Sequence, residues 1–353
     1  MAVTESGGGA PPKVSVVAIT YNQEAFIRAA LDGFVAQKTD FPVEVIVADD
    51  ASTDATPDII REYADRYPSL IRPIFRPTNI GVHANFTATL AAARGEYIAL
   101  CEGDDYWTDP MKLSKQVKFM DEHPATTVCF HPVRVIYDDG TDDTEFPPLK
   151  WRGDLSLEAL LARNFIQTNS VVYRRQPHYD DIPAKIMPID WYLHVRHAIG
   201  GEIAMLPETM AVYRRHPQGI WYSADYDRPK FWVTRGYGFA ATLNAMLDLF
   251  PGDRAREEIV AEMSEWALRE IAKVPGPEAR ATLHAVIADY PRMTTLSLQH
   301  RWKRTPWRRF KRRVSSDVAD LRALVHAYSA RILRSRQAPG GNASAAAAGL
   351  HTT

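Results

Sequence analysis

Residues 43–56 read VEVIVADDASTDAT, and this stretch decides the fold. A short, nearly unbroken apolar run suits a strand covered on both faces, as in a parallel sheet, better than a half-wet antiparallel strand. The run stops on Asp49 and Asp50, and helix-favouring sequence follows at 55–66. Working outward, VSVVAI at 14–19 has the same character and precedes an amphipathic stretch at 24–36. Further on, strands are predicted at 71–75 and 97–101, separated by a helix at 82–93. Strand and helix therefore alternate, which predicts an α/β fold: a doubly wound, mainly parallel sheet flanked by helices. In such sheets the ligand lies at the carboxyl ends of the strands.

Composition agrees with a folded chain. The 353 residues are 46% hydrophobic and 24% charged, with a net charge of -1. A collagen, a low-complexity polymer and a wholly disordered chain are excluded, and no global field draws the molecule to nucleic acid. Cys101 and Cys129 lie in apolar runs without zinc or disulfide spacing and read as buried hydrophobes. Residues 1–12 and 337–353 are too small and polar to build a core and are expected to be disordered tails. The start lacks a secretory signal and apolar runs fall short of a membrane span, so a cytoplasmic setting is expected. After Asp109 the pattern loosens into a helix at 110–122, a strand around 127–137 and mixed elements to about 215, the expected acceptor-binding half. Residues 226–300 read as a helical extension broken at KVPGPEA.

Three acidic clusters stand where predicted strands end: Asp49, Asp50 and Asp54; Glu102, Asp104 and Asp105; and Asp190. Carboxylates at successive strand ends converge on one rim. Their mutual repulsion is relieved by a hard divalent cation, which in turn holds phosphates, so magnesium or manganese is implied. Each acid has a plain structural alternative. Asp54 reads first as a cap for the helix at 55–66, Asp104 and Asp105 as turn residues, and Asp190 as the N-cap of a helix at 191–198.

In order, VSVVAITYNQEAFIRAALDGFVAQ (14–37), VEVIVADDASTDAT (43–56) and NIGVHANFTATLAAARGEYIALCEGDD (79–105) resemble family 2 of the glycosyltransferases, with weaker echoes in IDWYLHVRHAIGG and AVYRRH. The resemblance spans roughly residues 13–216 and implies a GT-A fold. An oxidoreductase of similar topology would carry a glycine fingerprint after its first strand, whereas here that turn is TYNQE. Family resemblance places Thr20, Tyr21, Asn22 and Glu24 along the nucleotide, Asp50 on the base, Asp104 near the ribose and Asp105 on the metal. It places Asn79, with Gly81 and Asn85, in a loop beside the nucleotide, with turn and capping roles as the alternative. It makes Asp190 the general base of an inverting transfer and puts His216 near the metal or diphosphate, with a loop role as its alternative. Two departures stand out: Ile189 precedes Asp190 where Glu is common, and Glu102 replaces the usual Asp. The implied enzyme is a metal-dependent glycosyltransferase using a nucleotide-sugar donor, UDP- or dTDP-linked, and a glycan or lipid-linked acceptor. On this reading the glycosyltransferase domain spans 13–225.

Residues 301–336 carry twelve Lys or Arg against Asp317 and Asp320, a local charge of 12 - 2 = +10, which leaves -11 for the rest. Apolar residues recur at helical spacing beyond Trp307, so the segment is expected to form a basic amphipathic helix suited to an anionic bilayer, peripheral on the inner membrane face. Docking on the domain itself or a partner is the first competing reading. Nucleic-acid binding is not expected, since no reader motif accompanies the charge. A catalytically silent nucleotide-sugar-binding module is the rival to the enzyme as a whole.

Overall fold

A computed structural model describes residues 4–5 and 11–304, with side chains from 11 to 301. The basic amphipathic helix and the C-terminal tail expected beyond residue 304 lie outside the described residues. Strands β1 (Thr4–Glu5), β2 (Val14–Thr20), β3 (Pro42–Asp49), β4 (Ile71–Phe75) and β5 (Tyr97–Leu100) alternate with helices α1 (Ile27–Val35), α2 (Thr56–Arg66) and α3 (Val82–Ala91). All their pairings are parallel: β3 lies between β2 on one side and β1 and β4 on the other, and β5 pairs with β2.

The predicted run at 127–137 is two strands, β7 (Thr126–Phe130) and β8 (Val133–Tyr137), which join different sheets. Between them lie His131 and Pro132, and proline has no N–H to carry a ladder onward. The main sheet continues from β5 through β10 (Val172–Arg174), antiparallel to both its neighbours, to β7 and then β11 (Glu202–Met205). A smaller sheet pairs β6 (Tyr106–Trp107), β12 (Ala211–Arg215), β8 and β9 (Thr144–Phe146).

Period-two side-chain alternation explains the two cores. Val14, Val16 and Ala18 of β2 and Val45 and Val47 of β3 pack with Ile27, Leu31 and Phe34 of α1, Ile60 of α2, and Leu113 and Val117 of α4 (Lys112–Glu122). Their neighbours Val17, Ile19, Ile46 and Ala48 face the opposite layer. That layer takes Phe86 and Leu90 of α3, Leu160 and Leu161 of α5 (Leu157–Ala162), and Trp191 and Leu193 of α6 (Ile189–Ala198). The same core runs on without a break into Trp232 and Phe239 of α8 (Arg228–Asp248) and Val260 and Ile271 of α9 (Arg254–Lys273). Helices α7 (Tyr222–Tyr226), α10 (Pro277–Asp289) and α11 (Pro291–Arg304) complete the described chain, α9 and α10 being separated at the predicted proline break. Among the described residues no helix is long and apolar enough to cross a membrane.

Candidate active site

Three loops meet at the carboxyl ends of β2, β3 and β5, held by backbone as much as by side chains. Gly103 N–H donates to the Ile19 carbonyl (3.0 Å) and Asp50 N–H to that of Thr20 (3.0 Å). A Cβ on Gly103 would stand 2.5 Å from Gln23 Oε1 and 3.0 Å from Thr20 Cβ, so the turn carrying the acids is seated directly on the loop after β2.

The sequence-selected residues of the first two loops bind mostly one another. Asn22 N–H donates to Ser52 Oγ (2.8 Å), and its Oδ1 accepts from Thr53 N–H (2.8 Å). Glu24 N–H donates to Asp54 (3.0 Å), while Glu24 Oε2 accepts from Ala55 N–H (2.9 Å). Asp54 also accepts from Thr56 N–H (3.0 Å), but it is not the cap expected of it: the N-cap of α2 is Ala55, and Asp54 stands one residue before it. Asp50 is buried, and its two oxygens accept from Ile80 N–H and Gly81 N–H, both at 2.9 Å. Gly81, at φ +86°, holds a conformation that favours glycine, and Asn79 Oδ1 adds a 3.1 Å bond to its N–H. Asn85 donates to the Ala48 carbonyl and accepts from Arg76, which ties α3 to the end of β3. Tyr21, in contrast, is 47% exposed at the rim, and Thr20 Oγ1 is buried without a partner.

The second acidic turn is electrostatically costly as it stands. Asp105 is buried; one carboxylate oxygen accepts from Arg214 N–H (2.9 Å) and the other, Oδ2, has no partner. Burial first, then the neighbouring Asp104, pushes the Asp105 carboxyl well above its usual range. Glu102 is pushed up to about 8 by burial, Asp104 and Asp190. His216 Nε2 stands 3.1 Å from Asp104 Oδ2, while its Nδ1 is buried without a partner. A carboxylate accepting from Nε2–H leaves the Nδ1 lone pair uncommitted, the usual way an outer carboxylate prepares a ligating histidine. An orphaned carboxylate oxygen and an orphaned imidazole nitrogen, in a crowd of acids, fit a hard divalent cation. They do not form a ready-made trio. Among the described residues, the only group of three or more His, Cys, Asp or Glu ligand atoms within 4.8 Å of one another is that of His178, Asp180 and Asp181, all exposed, and Arg196 already pairs with Asp181 at 2.6 Å.

Asp190 comes from the other half of the chain. The helix begins two residues earlier than expected, so Asp190 lies in the first turn of α6 rather than at its N-cap, which is Pro188. Thr168 Oγ1 donates to Asp190 Oδ2 (3.0 Å), and enclosure raises the carboxyl above its usual range. Asp190 and Glu102 line one cavity of about 570 Å³, with Arg163, Thr168, Trp221 and Trp266 among its walls. The structure thus brings Asp190 to the acidic turn through Glu102, whereas Asp50 faces the 80–81 loop. Of these wall residues, Thr168, Arg163 and Trp266 carry no motif and were not legible in the sequence.

The Glycosyl transferase family 2 model matches residues 15–218, more than half the chain. A Mycobacterium tuberculosis (strain ATCC 25618 / H37Rv) protein, Rv1520, is 73% identical over 323 residues, covering 92% of this chain and 93% of the relative. Among solved structures, S. aureus TarS 1–349 in complex with UDP-GlcNAc superposes with a TM-score of 0.61 at 20% identity, covering 90% of this chain and 92% of that one. The mannosyltransferase PcManGT from Pyrobaculum calidifontis, in complex with GDP-Man and Mn2+, gives 0.53 at 20% identity, with 85% and 87% covered. The fold is therefore GT-A, and the chain belongs to glycosyl transferase family 2 as a glycosyltransferase.

Proposed function

We propose that this glycosyltransferase is metal-dependent and inverting, and that it transfers a sugar from a nucleoside-diphospho-sugar to a hydroxyl of a glycan or lipid-linked acceptor. The observation that carries the reading is Asp190 and Glu102 on one cavity wall, with Asp104 and Asp105 two and three residues further along the second strand-end turn. That arrangement supports a base on the acceptor side and phosphate-binding machinery on the donor side.

Asp190 accepts the proton of the acceptor hydroxyl as its oxygen attacks the anomeric carbon, an assistance worth about 10²-fold to 10⁴-fold. The bond from that carbon to the diphosphate oxygen breaks, and the nucleoside diphosphate leaves with the electron pair. A single displacement of this kind inverts the anomeric centre. Asp105 and His216 would hold Mg2+ or Mn2+, which supplies neutralisation of the leaving diphosphate. Thr20, Tyr21, Asp50, Asn79 and Asp104 border the donor. Asn22 and Glu24 serve it by shaping the edge, since their side chains are engaged with the 53–55 loop. Each Asp50 oxygen keeps a second lone pair beyond its backbone bond, and an imide N–H of uracil or thymine is the complementary donor. UDP- or dTDP-sugars are accordingly favoured. The +10 segment at 301–336 is proposed to hold the enzyme against the inner face of an anionic membrane, close to a lipid-borne acceptor.

Thermal shift tests the donor site, because a ligand of the folded form alone raises its stability. UDP or dTDP with Mn2+ is expected to raise Tm more than ADP does, and Asp105→Asn to abolish the part of that rise that depends on metal. Stabilisation by ADP without metal would refute the assignment. Asp190→Asn is expected to keep the nucleotide shift and lose at least 100-fold in turnover.

A further inference from the structure

His194 stands four residues after Asp190, one helical turn further along the same face of α6. Its side chain is fully buried, and its Nε2 lies 3.8 Å from Asp190 Oδ2 with no hydrogen-bond partner of its own. On the other side of the ring, Nδ1 meets the Tyr173 hydroxyl in a short hydrogen bond. Tyr173 is fixed in turn: its ring stacks on His197 at 4.0 Å and 9°, and His197 is bound by the Leu193 carbonyl at Nδ1 and the Tyr179 hydroxyl at Nε2.

The proton on this imidazole follows from its neighbours. If Nδ1 carried it, the Nε2 lone pair would face a carboxylate oxygen, two acceptors opposed in a buried site. If Tyr173 donates to Nδ1, the proton is on Nε2, turned toward Asp190 Oδ2 at 3.8 Å with the Ile166 backbone also addressing the ring, and no two acceptors are opposed. Burial, then His197, pushes His194 down to about 3, so the ring stays neutral and does not compete for the proton that Asp190 removes. We propose that His194 is a positioning residue for the base: locked by Tyr173 as the Nε2–H tautomer, it presents that N–H to Asp190 Oδ2, the oxygen that Thr168 also addresses. In this arrangement Thr168 and His194 fix the carboxylate from two directions, and the acceptor hydroxyl meets a base that no longer rotates.

The inference rests on Asp190 acting as the base, and the experiment separates the two. Nucleoside-diphosphate release from UDP-GlcNAc and a panel of other UDP- and GDP-sugars is measured with the full chain, alongside the UDP–Mn2+ thermal shift. His194→Leu is expected to lower kcat at least tenfold with KM for the donor and the thermal shift unchanged. His194→Gln, which keeps an N–H donor, restores much of the loss, and Tyr173→Phe falls between. If Asp190→Asn retains full release, the base assignment fails. If Asp190→Asn is silent while His194→Leu keeps wild-type kcat, the positioning role alone is overturned. Histidine ¹⁵N NMR on the wild-type chain needs neither turnover nor a foldable variant. The Nε2–H tautomer of His194 is expected; an Nδ1–H tautomer overturns the proposal.

Discussion

Lys112 has no carboxylate to accompany it into the interior. It is fully buried at the start of α4, donates from Nζ to Gln116 Oε1 (2.8 Å) and sits 4.2 Å over the Trp107 ring. Burial pushes its pKa down to about 7. In the unfolded chain the same amine titrates near 10.5, so between pH 7 and 10 the unfolded state binds more protons and the folded state gains as pH rises. The wild type should therefore gain on Lys112→Met across that window, by about 1.4 kcal/mol per pH unit at the steepest. Urea midpoints at several pH values check this, and a gap that does not vary with pH refutes it. Nothing in the local sequence distinguishes Lys112 from a solvated lysine, because its burial is created by Trp107 and by strands far away in the chain. Asp105 was legible because motif and strand-end position coincide; Asp190 was legible by motif alone, because the strand end expected before it is absent: β10 ends at Arg174 and Asp190 opens α6. His194 had only its four-residue spacing from Asp190 to announce it.

From residue 14 through 101 helix and strand bounds were readable to within about three residues, since strands covered on both faces leave an unmistakable apolar run; β1 (Thr4–Glu5), paired with β3, falls in the stretch expected to be a disordered tail, being too short to leave such a run. Beyond that point the signal fails for physical reasons. β10 has three residues, too few to show a period, and its place between β5 and β7 is set by non-local pairing. Where backbones close up, composition is decisive. Gly95 precedes β5, and a Cβ there would lie 2.4 Å from Ser15 N and 2.8 Å from the Val14 carbonyl carbon. Its N–H donates to Ser15 Oγ (2.8 Å), which itself donates to the buried Glu44 (2.6 Å). Gly95→Ala should cost about 3 kcal/mol or more, as backbone rather than a side chain must yield. Denaturant unfolding measures this; a loss within 0.5 kcal/mol, the usual surface range, would show that the strands can part. On α9, Trp266 meets Trp232 and Phe239 edge-on at 5.3 and 5.8 Å and also walls the Asp190 cavity. Trp266→Ala is expected to cost about 3 kcal/mol while leaving the UDP–Mn2+ thermal shift in place, since the loops proposed to hold the donor lie elsewhere.

Charge divides the whole molecule: +10 resides in 301–336 and -11 in everything else. If the segment serves a membrane surface, the full chain should co-sediment with vesicles containing anionic phosphatidylglycerol and not with neutral phosphatidylcholine vesicles. The association should weaken as salt rises, and a chain ending at residue 304 should lose most of it. Equal binding of both chains would assign the contact elsewhere. The main sheet has a different consequence. β10 is hydrogen-bonded to β5, which leads into the turn bearing Asp105, and to β7, which pairs with β11 in the later half. One ladder therefore sutures the half that supplies Asp105 to the half that supplies Asp190. Carboxylates of separate lobes can drift apart when a hinge opens; among the described residues, these two halves share one sheet rather than meeting across a hinge. If Asp105 and Asp190 act as proposed, substrates enter and products depart past loops, while the shared ladder ties together the two halves from which these acids project.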